Sequence, residues 1–299
     1  MKPKQYKGQR RLLGWAPTYM IAPAFLLQIA LVVVPLAIAL VASFHRWYLP
    51  RPQDRAFIGL ANYVHLLTSR EFYDSVWVTV KFIGLTVIGT TVLGLISGLL
   101  VARSFRGVAV FRSMLIIPMM ITPAVSALLW ITMWHGNFGA VNSILTTLGM
   151  PTLEWVSDPR TALLSVAIPD IWQWTPFVML VVVAGIQTLP VEVYEAATVD
   201  GASGWKMFTR ITLPLLLPYL STAVLFKIVY TLRVYDLPLI LTKGGPGRVT
   251  EIASLQISFT AFTAFQVGRA AAHSFLVLLV LIPLGTLLYR VFRRQGVSY

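Results

Sequence analysis

The chain has 299 residues, 57% of them hydrophobic and 12% charged, with a mean hydropathy of +0.75 and a net charge of +13. A soluble domain carries about 25% charged residues, whereas here the charges gather between apolar runs long enough for the ~20 residues that cross a bilayer as helix. This excludes a soluble globule and predicts an all-α membrane protein; the lack of cysteine excludes a disulfide framework or thiolate metal centre.

Charge-poor runs predict six transmembrane helices in a single domain over 1–299, near 14–44, 76–102, 111–134, 161–187, 212–235 and 270–292. Leu12–Phe44 is longer than the roughly 7 to 15 apolar residues of a cleavable signal, so it reads as a retained first span. The loops differ by side. Lys2, Lys4, Lys7, Arg10 and Arg11, then Arg103, Arg106 and Arg112, then Lys206 and Arg210, then Arg290, Arg293 and Arg294 fall in alternate segments, opposed only by Glu192, Glu195 and Asp200. In the remaining loops bases and acids nearly cancel. Basic loops stay in the cytoplasm, which puts both termini and the 188–214 loop inside. The same distribution makes the net charge a matter of membrane topology and argues against nucleic-acid binding. His45, His65, His135 and His273 are scattered with no i, i+4 pair, so no metal site is expected. The uncharged stretch 252–268, with Phe259, Phe262 and Phe265 recurring every third residue, reads as a re-entrant or surface-lying helix on the outer side, a full crossing being the alternative. No internal repeat marks an inverted-repeat transporter.

Ionisable groups inside spans are functional candidates by default. Lys81 reads as a snorkelling side chain and Lys227 as a structural pairing partner, while Trp130 and Trp134 read as interface anchors. Asp170 and Arg233 fall within roughly 4 to 5 Å in height if their helices are straight, with Tyr230 level with Asp170. A pocket between the fourth and fifth spans follows. "PDIWQWTP" (169–176) is framed by prolines expected to interrupt helix bonds and expose carbonyls. Asp170 and Gln173 would accept hydrogen bonds from hydroxyls, Trp172 or Trp174 would stack on a sugar face, and Arg233 would donate; an Asp170–Arg233 or Arg233–Asp236 ion pair is the alternative.

The polar segment 188–214 interrupts two very apolar stretches. Pro190 suits a helix start, "VEVYEAATV" favours helix, Asp200–Gly201 signals a turn, and Ser203 can cap a second short helix through Trp205 and Phe208. A helix–turn–helix beneath the membrane follows.

Glu195-Ala196-Ala197, then Gly201, then Ile211-x-Leu213-Pro214 resembles the EAA motif of ABC importer permeases, in spacing as well as residue type. "FIGLANY" (57–63), "FRSMLIIP" (111–118), "DPRTALL" (158–164) and "LTKGGPG" (241–247) are similar to the carbohydrate permeases of that class, in particular the larger membrane subunit of the maltose type, without its additional spans and periplasmic insertion. The resemblance implies a coupling-helix loop in which Glu195, Ala196, Ala197, Asp200, Gly201 and Pro214 engage a cytoplasmic ATPase, with Glu195 as polar anchor. It also implies sugar contacts at Asp170, Gln173, Trp174 and around Arg233. Charged side chains stand here where the maltose subunit has amides, so the expected solutes include oligosaccharides, polyols and acidic sugar derivatives. The implied partners are a second, similar permease, two ATP-binding cassette subunits and an extracytoplasmic solute-binding protein, in a bacterial or archaeal plasma membrane. The chain has no Gly-Lys dipeptide and hence no phosphate-cradling loop. It is therefore expected to bind no cofactor and perform no catalysis, ATP and Mg being used by the ATPase subunits. The contrasting readings are a self-sufficient secondary transporter or channel and a membrane-embedded enzyme, although neither H-E-x-x-H nor G-x-S-x-G occurs.

Overall fold

The computed structural model describes residues 16–103 and 105–295. Among the described residues its regular structure is helical apart from one antiparallel pair of two-residue strands, and its contacts cluster into two compact units, Met1–Leu66 with Thr260–Phe275 and Leu67–Phe259 with Leu276–Tyr299. Among the described residues, four helices are long and apolar enough to cross a membrane, or up to five if a bent pair counts as one span. The basic N-terminal cluster lies outside the described residues.

In the first unit, α1 (Ala16–Gln28) runs through a π turn at Ile29–Val33 into α2 (Val34–Ser43). Large apolar side chains such as Met20, Phe25 and Leu31 are exposed along this run, the pattern of a helix whose surroundings are apolar. Beyond it, β1 (His45–Arg46) pairs antiparallel with β2 (Ala56–Phe57). The side-chain amide of Asn62, on α3 (Ala61–Thr68), donates to the carbonyls of Ser43 and His45 and ties the hairpin down. A further helix, α14 (Val267–Gln295), begins against the same turn of chain. Gly268 N–H donates to Trp47 O, and a Cβ at 268 would lie 2.1 Å from His45 O, so only glycine fits.

The second unit is organised on two long helices, α4 (Arg70–Val101) and α8 (Ala162–Gln187). α4 starts at Ser69, whose hydroxyl accepts from Phe72 N–H. It meets α8 through glycines: a Cβ on Gly94 would lie 2.4 Å from Val178 and one on Gly98 2.6 Å from Val182. Membrane helices approach through small residues because packing, not water, drives them together. The run expected as one span over 111–134 is instead two helices, α5 (Val108–Met120) and α6 (Pro123–Met133), bent by 101° at Ile121–Thr122. Pro123 starts the second, and the residue before a proline leaves the helical region. α7 (Ala140–Thr147) follows.

After α8 come α9 (Val191–Val199), α10 (Gly204–Met207), a π turn at Phe208–Thr212 and α11 (Leu213–Thr231). Residues Gly204–Thr231 form one uninterrupted helical run. The chain then breaks at 232–235 and resumes as α12 (Asp236–Leu241). The 252–268 stretch holds the six-residue α13 (Ala253–Ser258) and a π turn at Phe259–Thr263, so among the described residues it contains no helix of spanning length. The "TKGGPG" loop is fixed to α4: Arg248 pairs with Glu251 at 2.8 Å and with Glu71 at 3.0 Å. The hydrogen bonds to Glu251 push the Arg248 guanidinium above its ordinary value.

Candidate functional site

Two sites emerge within the second unit. The first is the elbow between α8 and α11. α9 ends with Ala202 N–H bonded to Ala197 O and Gly201 N–H bonded to Thr198 O, the paired bonds of a Schellman ending. Gly201 has φ +74, the left-handed conformation such an ending requires. Ala197 is the buried residue of α9, while Glu195, Ala196 and Asp200 face outward. Tyr194 Oη bonds Thr212 Oγ1 at 3.2 Å, bracing α9 against the π turn. Trp205 is 74% exposed and Val199 88%, so an acidic and apolar surface faces out on a braced support. Pro214, also exposed, stands directly after the π turn inside the continuous Gly204–Thr231 run, where its missing N–H leaves a carbonyl of the preceding turn without a helical donor. Beside the elbow lies a cavity of about 600 Å³ lined by Leu99, Arg103, Ile186, Tyr194, Trp205 and Phe208.

The second site is in the apolar interior. Lys227 Nζ, fully buried on α11, donates to Asp170 Oδ2, fully buried on α8. Trp174 lies one turn beyond Asp170 and Tyr230 one turn beyond Lys227, so the same helix faces bring their rings to 3.9 Å. The ammonium sits 5.4 Å from each ring, a cation held over two π faces. Asp170 Oδ1, Gln173 Oε1 and Thr231 Oγ1 are buried without a hydrogen-bond partner among the described residues.

Asp170, Trp174 and Tyr230 thus come together, but the cation is Lys227. Arg233 lies past the end of α11, exposed in the break before α12, and forms no ion pair among the described residues. A match in height with Asp170 needs a straight helix to 235, whereas α11 ends at Thr231. Gln173 donates to Ile121 O at the α5–α6 break, tying α8 to the bend. Trp172 points elsewhere, lining a separate cavity of about 450 Å³ with Gly89, Met114, Pro118 and Trp130. The prolines of 169–176 do not break α8 either. Pro169 leaves Ser165 O without its helical donor, and Trp134 Nε1 fills it at 3.1 Å. Trp134 is accordingly buried, 4% exposed and stacked on Trp155, rather than anchored at an interface. Residue reading alone missed "GLISG" (94–98), whose glycine spacing in an apolar run signals helix contact.

A bundle of apolar helices joined by a braced polar elbow, with a charged pair sealed inside, defines a membrane-embedded transport subunit. Residues 90–296 match the family of binding-protein-dependent transport system inner membrane components, and the chain belongs to it. It is 35% identical to the trehalose/maltose transport system permease MalF of Thermococcus litoralis over 280 residues, covering 92% of this chain and 94% of that protein. It is 32% identical to the sulfoquinovosyl glycerol transport system permease SmoG of Agrobacterium fabrum, covering 85% of this chain and 82% of that protein. Its fold is similar to a chain of the bacterial alginate ABC transporter solved in complex with an alginate pentasaccharide-bound periplasmic protein, with a TM-score of 0.82, 21% identity and 98% of each chain covered.

Proposed function

We propose that the chain is the membrane-spanning permease subunit of an ATP-driven, binding-protein-dependent importer for a sugar or sugar-like solute, such as an oligosaccharide, polyol or acidic sugar derivative. The family, and relatives named for trehalose/maltose and sulfoquinovosyl glycerol, support the solute class. In this reading the chain crosses the plasma membrane six times with both termini inside. It pairs with a second permease and works with two ATPase subunits and an extracytoplasmic binding protein. ATP and Mg act on the ATPase subunits alone.

The observation that carries the reading is the continuity of Gly204–Thr231. One end of this helical run lies in the elbow, where Glu195, Ala196, Ala197, Asp200, Gly201 and Pro214 form or flank the docking surface. The other end holds Lys227 against Asp170, roughly 30 Å away at helical rise. A push on the elbow therefore reaches the interior as a rigid-body displacement, not as a wave through a flexible loop. Along the solute path, Asp170 Oδ1 and Gln173 Oε1 offer unfilled acceptors to hydroxyls. The Trp174–Tyr230 pair offers an apolar face, and Arg233 stands at the helix break.

The test is reconstitution of the chain with its ATPase and permease partners in vesicles. Glu195→Arg is expected to leave membrane insertion and assembly of the permeases intact while uptake falls at least tenfold, a loss of about 1.4 kcal/mol or more in coupling. Uptake by the chain alone, without ATP, would instead identify a secondary transporter.

A further inference from the structure

The pair between α8 and α11 leaves an imbalance of hydrogen-bonding groups that narrows the cargo. Asp170 is the only carboxylate and Lys227 the only ammonium on these two helices, and both side chains are fully buried. Their formal charges cancel. The ammonium donates to Asp170 Oδ2 and sits 5.4 Å from the centres of the Trp174 and Tyr230 rings, which cover it. The cation is therefore satisfied within the chain. What stays open is acceptor capacity: Asp170 Oδ1, Gln173 Oε1 and Thr231 Oγ1 are buried with no hydrogen-bond partner among the described residues.

These atoms are spread along the helices. Gln173 lies three residues nearer the elbow than Asp170 on α8, and Thr231 four residues farther from it than Lys227 on α11. At helical rise the set covers roughly 10 Å with the pair in its middle. Carboxylate and amide oxygens only accept, and a hydroxyl accepts as well as donates, so the complement of the set is a row of hydroxyls. An acidic sugar would instead bring a second carboxylate against Asp170 and shed its hydration without meeting an unpaired cation. Arg233, the exposed guanidinium two residues past α11, is followed three residues on by Asp236, so the helix break carries no net charge either.

We propose that the Asp170–Lys227 pair is a charge filter: by neutralising Lys227 internally, it makes the path between α8 and α11 selective for uncharged polyhydroxy solutes and against acidic sugar derivatives. The filter rests on the importer reading and narrows its solute class. Its corollary is that Lys227 becomes a carboxylate-binding group as soon as residue 170 is neutral.

The experiment is saturation-transfer NMR on the chain assembled with its permease and ATPase partners in detergent. The extracytoplasmic binding protein is left out, because its own selectivity would otherwise enter. Spectra are taken nucleotide-free and with a non-hydrolysable ATP analogue, so that two stages of the ATPase cycle are sampled. The probes are methyl glucoside and methyl glucuronide, which differ only in a hydroxymethyl group against a carboxylate. The glucoside is expected to bind about tenfold more tightly. Asp170→Asn, which frees the ammonium, should reverse the order. Thr231→Val removes a hydroxyl that makes no internal bond, so it keeps the test open if Asp170→Asn does not fold. It should weaken the glucoside about threefold and leave the glucuronide unchanged. Lys81→Gln, at an exposed cation on α4, should leave the preference as it was. Equal or tighter binding of the glucuronide by the unaltered chain would overturn the filter and leave the importer reading in place. So would a glucoside preference that survives Asp170→Asn, unchanged glucoside binding in Thr231→Val, or a preference lost in Lys81→Gln. Binding of neither probe at either stage would overturn the solute path between these helices, and the filter with it.

Discussion

The elbow and the buried pair both carry carboxylates, yet they work under opposite dielectric conditions. Glu195 and Asp200 face outward, where water or a partner's surface screens them. They cost little and remain available for contact. Asp170 and Lys227 are sealed among α8, α11 and two aromatic rings, where either charge alone would carry a desolvation penalty of several kcal/mol. The first region is an outward-facing surface held in shape by the Tyr194–Thr212 bond and the Gly201 ending. The second is a neutralised pair whose members must stay together, and one of them, Lys227, lies on the Gly204–Thr231 run that follows the elbow.

Breaking the pair gives the largest effect. Lys227→Met leaves the Asp170 carboxylate buried beside Trp174 with no counter-charge, and should destabilise the protein by about 3–5 kcal/mol. The measurement is thermal unfolding in detergent followed by tryptophan fluorescence. Adding Asp170→Asn should restore most of the loss, because a neutral amide and an apolar side chain remove both charges at once. A double variant as unstable as the single would mean that packing, not charge, governs the site.

The contrast also explains what could be read in advance. The elbow is written in local signals: a proline start, an Asp-Gly turn and charges between apolar runs, each acting over a few residues, although Ser203, at the start of α10, makes no side-chain capping bond. The partner of Asp170 is 57 residues away and depends on how two helices are rotated and where one of them stops. Arg233 would reach Asp170 only from a helix running on to 235; the end of α11 at Thr231 leaves Lys227 as the cation that meets Asp170. In the same way, the bend at Ile121–Thr122 and the capture of Ser165 O by Trp134 depend on the packing of neighbouring helices, which periodicity does not report.

An intermediate effect is expected where α4 packs on α8. Gly98→Leu places a side chain where even a Cβ would stand 2.6 Å from Val182, forcing the helices apart at about 1–3 kcal/mol. Gly84→Leu, on the same helix with nothing within 4 Å of its Cβ, is the matched control and should be nearly neutral. Comparing the two unfolding midpoints separates close packing from the helix propensity that both substitutions change alike.

The smallest expected effect, and the most informative about the elbow, is that of Gly201→Ala. No atom lies within 4 Å of a Cβ at 201, so the substitution meets no clash, and its cost is that of holding alanine at φ +74. That cost is about 1 to 2 kcal/mol, too little to unfold the protein but enough to loosen the bonds from Gly201 to Thr198 and from Ala202 to Ala197. If the elbow works as a rigid lever, its ending must stay formed under load. Gly201→Ala should then lower uptake per ATP hydrolysed while the unfolding midpoint moves by only a few degrees. Were the ratio unchanged, the turn would be serving only to reverse the chain, and the displacement would have to enter α11 through its direct packing on α8.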